Sequence, residues 1–163
     1  MIAVRPMLRR DVRRVHEIEV QSFPTPWSLA SLMGETHNRL AHYYVVEVDG
    51  RIEGYGGMWV LFEEAHITNI AIAPNSRGRH LGKYLLYAMM DRAHFYGADK
   101  MTLEVRETNE VAQNLYYSMD FQKEGFRRRY YEDTGEGAYL LWNQDIFATL
   151  AKNACLKADF SLQ

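Results

Sequence analysis

The stretch that most constrains this chain is 65–96, where an apolar run meets a proline, a basic glycine-bearing loop and then a helical pattern. Ala65 to Ala73 begins as an alternating stretch and becomes nearly continuously apolar, the pattern of a buried strand, and Pro74 ends it. Leu81, Leu85, Leu86, Met89 and Ala93 then recur on one face of a helix over about Leu81 to Tyr96, with Gly97 as its stop. A strand leading through a short loop into a helix exposes unpaired backbone N–H groups at the positive end of the helix dipole, which suits a phosphate. The loop reads Pro74-Asn75-Ser76-Arg77-Gly78-Arg79-His80-Leu81-Gly82-Lys83. It lacks the Gly-x4-Gly-Lys-Ser/Thr of a nucleotide P-loop and the Gly-x-Gly-x-x-Gly of a dinucleotide site. On these residues alone it reads equally as a basic turn before a surface helix.

The flanking elements define a single mixed α/β domain. Residues 2–5 suit a short strand. Val12, Val15, Ile18 and Glu19 follow Asp11 at helical spacing, with Asp11 placed to cap. Phe23-Pro24-Thr25-Pro26-Trp27 breaks that helix, because a residue preceding proline is pushed out of the helical region. Ser28 can cap a second short helix to about His37. Tyr43 to Val48 and Arg51 to about Phe62 read as a hairpin turned at Asp49-Gly50, with Gly54, Gly56 and Gly57 marking bulges or close backbone approach. Met101 to Val105 is a strand and Asn109 to Met119 a helix. Two last strands lie near Phe121 to Tyr131 and Ala138 to Asp145, joined by Asp133-Thr134-Gly135. The order predicts about seven mostly antiparallel strands with about four flanking helices. The domain spans 1–146, and 147–163 is expected to be a loosely attached amphipathic tail with helical character.

Composition narrows the function classes. A formal net charge of −2 argues against a general electrostatic grip on nucleic acid or an acidic membrane, although Arg127, Arg128 and Arg129 are consecutive. The lone Cys155 permits no internal disulfide and no cysteine-rich metal site. The six histidines, at 16, 37, 42, 66, 80 and 94, have no metal-ligand spacing, so no metal site is expected. No apolar run approaches the roughly 20 residues of a membrane span, and no signal core follows the basic segment near Arg9 to Arg14. A cytoplasmic protein is expected.

Four motifs in order then carry a resemblance. Ile70-Ala71-Ile72-Ala73-Pro74 with Arg77-x-x-x-x-Gly82 resembles the acetyl-CoA motif of the GNAT acetyltransferases, usually Arg/Gln-x-x-Gly-x-Gly/Ala; His80 stands at the central glycine, with a glycine instead at Gly78. Phe23-Pro24-x-Pro26-Trp27-Ser28 is similar to the RimI group of N-terminal acetyltransferases and its archaeal relatives. So is Met101 to Asn109 with Ala112, Leu115-Tyr116 and Phe121, and so is Arg128-Arg129-Tyr130-Tyr131 with Gly135-Glu136-x-Ala138. The resemblance covers roughly residues 3–145.

That resemblance implies a GNAT fold, acetyl-CoA as donor and a protein or peptide N-terminus as acceptor, typically the alanine of a ribosomal protein. By position, Ile70, Ala71 and Ile72 would meet the cofactor's pantetheine arm and thioester. Arg77, Gly78, Arg79, His80, Leu81, Gly82 and Lys83 would hold its pyrophosphate, and Asn109 would contact the arm. Glu104 matches the base that deprotonates the amine, and partial burial beside the cofactor is expected to raise its pKa toward neutrality. Tyr116, rather than Tyr117, matches the acid that protonates the departing thiolate. Phe23, Pro24 and Trp27 would form one wall of the peptide groove and Tyr130 and Tyr131 the other, with Glu136 adding a polar contact; family members usually carry aspartate where this chain has Gly137. Acetylation of lysine side chains or a small amine, and a non-catalytic acyl-CoA-binding module, remain the competing readings.

Overall fold

A computed structural model describes residues 1–163. The strands are β1 (Ile2–Pro6), β2 (Ala41–Val48), β3 (Arg51–Leu61), β4 (Glu64–Ile72), β5 (Lys100–Arg106), β6 (Gln122–Arg127), β7 (Ala138–Asn143) and β8 (Ser161–Leu162). The helices are α1 (Val12–Ser22), α2 (Leu29–Glu35), α3 (Leu81–Phe95), α4 (Glu110–Ser118) and α5 (Ile146–Lys152). The eight strands form one sheet in the order β6-β7-β5-β4-β3-β2-β1-β8. Pairing is antiparallel except for β4 with β5 and β1 with β8.

Each sheet face covers its own apolar cluster. On one, Val12, Val15, Ile18 and Leu32 from α1 and α2 pack on Tyr43, Val45, Tyr55, Ala71 and Ala73. On the other, α3 lies over the sheet centre, joined by Tyr116 of α4 and Ile146 and Leu150 of α5. Leu85, Leu86, Met89 and Ala93 are fully buried there, as the helical spacing requires.

Local chemistry sets several boundaries. Ser28 Oγ accepts the Ser31 N–H at 3.0 Å and starts α2. Asp11 stands at the cap position of α1, but its carboxylate does not cap. It accepts the Leu8 N–H at 2.7 Å and a bidentate pair of bonds from Arg5 at 2.7 and 3.1 Å, tying β1 to α1. The strand expected to reach Tyr131 ends at Arg127, because the chain turns outward through Arg129 at φ +50°.

The tail is docked rather than loose. Asp145 caps α5, Phe160 packs against Tyr84 and Tyr87 of α3, and Ser161–Leu162 adds an eighth strand beside β1.

Candidate active site

β4 and β5 start as a parallel pair and then part. They are bonded through Glu64–Lys100, Ala65–Met101 and His66–Thr102, and beyond that rung no pairing follows. The sheet splits into a V, and a cleft runs along its mouth. One end, about 460 Å³, is lined by β4 and β5 together with Phe23, Trp27, Tyr130 and Tyr131. The other, about 720 Å³, is lined by Ile70, Ala71, Ile72, the loop after β4 and α4. Ile70, Asn109, Ala112 and Tyr116 border both, so the two ends form one passage.

The loop end is a row of unused donors. None of the backbone N–H groups of residues 77–82 bonds to another atom of the protein. The last two, of Leu81 and Gly82, are the unpaired first donors of α3, and such a row suits a diphosphate. Arg77, Gly78, His80, Leu81, Gly82 and Lys83 line this end, whereas Arg79 does not. His80 takes φ +62°, the left-handed conformation that favours glycine, which accounts for the glycine usual at this position of the motif but not for the histidine here. A Cβ at Gly82 would lie 3.2 Å from Leu115, so the close packing of α3 on α4 favours glycine there.

The open edge of β4 continues this end. Ala73 N–H bonds to Glu53 across β3, so by strand alternation Ala71 also faces β3, and Ile70 and Ile72 turn their main-chain groups to the gap. Ala71 N–H is thereby spent within the sheet. The Ile72 carbonyl accepts Arg77 Nε at 3.1 Å, and the Ile72 N–H is left open. Asn109 borders the passage while its Oδ1 caps α4 through the Ala112 N–H at 3.1 Å.

Glu104 and Tyr116 lie at the other end. Glu104 Oε2 is 2.7 Å from His66 Nε2, and Oε1 is 4.0 Å from Arg127. The expectation that burial would raise this carboxyl is corrected. The His66 hydrogen bond holds it below the usual carboxylate range, outweighing desolvation, with the charges of His66 and Arg127 adding to the effect. Tyr116 is buried, and burial drives its phenol well above the ordinary value, so it stays protonated. Its hydroxyl has no partner in the protein and opens to the cleft, whereas Tyr117 lies outside it and bonds Gln113 at 3.4 Å.

Phe23, Pro24 and Trp27 form one wall of this end and Tyr130 and Tyr131 the other. Arg106 of β5 organises the second wall. It donates to both Asp133 oxygens at 3.0 and 2.8 Å and covers the Tyr131 ring at 3.9 Å. Asp133, held down to about 2 by Arg106 and Thr25, accepts the Thr25 hydroxyl at 2.9 Å and links the walls. Glu136 lies outside the lining, against Arg106 at 3.5 Å and Thr108 at 3.2 Å.

The sequence reading missed His66, Arg106, Asp133, Thr25 and Glu19. His66 carried one signal, the only titratable side chain in the run from Ala65 to Ala73. Arg106 and Asp133 are paired across 27 residues, and only the fold brings them together.

Comparison with known proteins agrees. The sequence model of the Acetyltransferase (GNAT) family matches residues 12–121, and the chain belongs to that family. It is an N-acetyltransferase, and GNAT acetyltransferases use acetyl-CoA as donor. Its relatives narrow the class. A Bacillus subtilis protein with the provisional name [ribosomal protein bS18]-alanine N-acetyltransferase is 43% identical over 141 residues, 86% of this chain and 93% of that protein. The N-alpha-acetyltransferase RimI of Mycobacterium tuberculosis is 33% identical over 86% of this chain and 90% of its own length. The crystal structure of the Escherichia coli ribosomal-protein-S18-alanine N-acetyltransferase superposes with a TM-score of 0.80 at 26% identity, covering 87% of this chain and 92% of that one. The chain is thus of RimI type.

Proposed function

We propose that this enzyme acetylates the α-amino group of an Ala-starting protein N-terminus, of the ribosomal-protein bS18 kind. The observation that carries the reading is the single passage joining a row of free N–H groups to an end lined by both Glu104 and Tyr116 among aromatic side chains. The work of catalysis falls to residues 1–146, with 147–163 completing the sheet. A ribosomal acceptor places the enzyme in the cytoplasm.

An α-ammonium has a pKa near 7.7–8.0 and must lose a proton before it attacks. Glu104, kept ionised by His66, takes that proton directly or through water. The amine nitrogen attacks the thioester carbon, and the carbonyl oxygen becomes an oxyanion. A fixed N–H from the open β4 edge, that of Ile72 or Ile70, stabilises this charge where it develops. The C–S bond then breaks and the thiolate takes the Tyr116 proton; the second proton of the attacking nitrogen passes through water to the phenolate, Glu104 releases its proton to solvent, and acetylated amine and coenzyme A leave. Donors at 77–82 hold the pyrophosphate, with Lys83 as counter-charge.

The test is mass spectrometry on a peptide panel with acetyl-CoA. An Ala-starting peptide of bS18 sequence is acetylated on its α-amine, and an N-blocked copy bearing a lysine is not. Modification of the lysine alone would transfer the activity to ε-amines.

A further inference from the structure

Glu19 stands outside the mechanism above, yet it lies in the wall of the acceptor end. It occupies the last turn of α1 and is only 2% exposed. Oε1 accepts the Trp27 backbone N–H at 3.0 Å, and Oε2 is buried with no hydrogen-bond partner. The Asn69 amide faces the carboxyl without completing a bond of full geometry. Buried carboxyls are mostly satisfied, so one left half-satisfied in a cleft wall calls for a role.

The loop that Glu19 touches has almost nothing else to hold it. Phe23 still bonds to the Glu19 carbonyl as the end of α1, and Ser28 already belongs to the start of α2. Between them, from Pro24 to Trp27, the Trp27 N–H to Glu19 is the only hydrogen bond made by the main chain. Two of those four residues are prolines and have no N–H to offer. The one other polar tether is the exposed side-chain bond from Thr25 to Asp133. Phe23, Pro24 and Trp27, which line the acceptor end, thus hang between a helix terminus and one buried carboxylate.

We propose that Glu19 is a positioning residue for the acceptor: through Trp27 it fixes the wall against which the incoming peptide packs, and so sets acceptor affinity without taking part in acetyl transfer. The inference rests on the acceptor end being the peptide site. Burial pushes the Glu19 carboxyl above its ordinary value, against the pull of the Trp27 hydrogen bond, and Oε1 accepts that N–H in either protonation state. The neighbours place the group accordingly. Asn69 donates its amide to Tyr55 at 3.1 Å and accepts from Thr68, so Glu19 abuts a side chain that is itself anchored in β4.

The experiment compares Glu19→Leu with Glu19→Gln in the full chain, varying peptide and acetyl-CoA independently. Leucine fills the buried space and removes the acceptor; glutamine keeps an amide oxygen for Trp27. The expected result for Glu19→Leu is a peptide KM raised about tenfold, equivalent to about 1.4 kcal/mol, with kcat and the acetyl-CoA KM within about twofold of wild type. Glu19→Gln is expected to restore the peptide KM to within about threefold. A loss in kcat with unchanged peptide KM, or Gln and Leu variants alike in peptide KM, would overturn the role. The wild-type arm separates the two ideas. If it modifies ε-amines and leaves N-termini untouched, the N-terminal reading falls, and the Leu and Gln comparison is read on the amine it does accept.

Discussion

His80 offers the sharpest check on the donor loop. Its φ of +62° and ψ of 12° put an L-residue in left-handed space, its side chain makes no cap hydrogen bond, and it is exposed. That conformation costs an L-residue about 1–2 kcal/mol, which glycine escapes, while glycine in turn loses about 0.4–1 kcal/mol through the greater freedom of its unfolded chain. His80→Gly is therefore expected to stabilise the fold by about 0.5 kcal/mol. His80→Ala keeps the Cβ and gains nothing. Unfolding entropy near 2.1 cal/mol/K per residue gives about 0.34 kcal/mol per degree for 163 residues, so the glycine variant should melt about 1–2 °C above the alanine one. His80→Val, with a β-branched side chain in the same conformation, should fall a further few degrees. Calorimetry on the three variants reads these shifts directly, and acetyl-CoA titrations show whether the loop keeps its affinity. Coincident melting of the glycine and alanine variants would refute a left-handed His80, and with it the path assigned to residues 77–82.

Removing His66 (His66→Ala) takes away the bond and charge that hold Glu104 low. The carboxyl then moves up, and the acid limb of kcat/KM shifts to higher pH; an unmoved limb would detach His66 from the base. Glu104→Gln should lower kcat by about 10²–10⁴ with the acetyl-CoA KM nearly unchanged, and Tyr116→Phe should do the same more mildly because a thiolate leaves readily. Wild-type turnover in both would remove these assignments. Thr25→Val deletes the bond between the two aromatic walls and leaves Arg106–Asp133 intact; stopped peptide assays should show a peptide KM raised about two- to fivefold, the value of a single exposed hydrogen bond. An unchanged KM would show that the link between the walls carries no load in binding.

Much of the fold was legible because local rules and the global fold agree. Asp49-Gly50 makes the expected hairpin, Ser28 caps as its type predicts, and α3 buries the face its spacing marks. Asp11 misled for a physical reason: its carboxylate found Arg5 and the Leu8 N–H, and two guanidinium bonds outweigh a cap. The tail could not be read, because its anchor Phe160 packs on Tyr84 and Tyr87, residues more than 70 positions earlier. The site was legible only as types in order. That Glu104 faces His66 depends on the parallel register of β4 and β5, which neither strand encodes by itself.

One local irregularity reconciles the two halves of β4. Its pairing with β3 runs Met58–Ile67 and then Gly57–Asn69, so Thr68 is an extra residue, a bulge. Before it, Ala65 and Ile67 point to the α3 face; after it, Ile70 and Ile72 pack there while Ala71 and Ala73 face α1. An unbulged strand keeps one parity and would send Ala71 and Ala73 to α3 and both isoleucines to α1. The lateral direction of the backbone groups would reverse as well, turning Ile70 and Ile72 into β3 and the Ala71 N–H into the gap. The bulge is held where it is by Tyr43, whose hydroxyl lies 3.1 Å from Thr68 Oγ1 and whose ring fills the space beside Gly57, where a Cβ would come close to it. Gly57 thus admits the ring, the ring holds Thr68, and the extra residue turns the main-chain groups of Ile70 and Ile72 toward the passage proposed for the thioester.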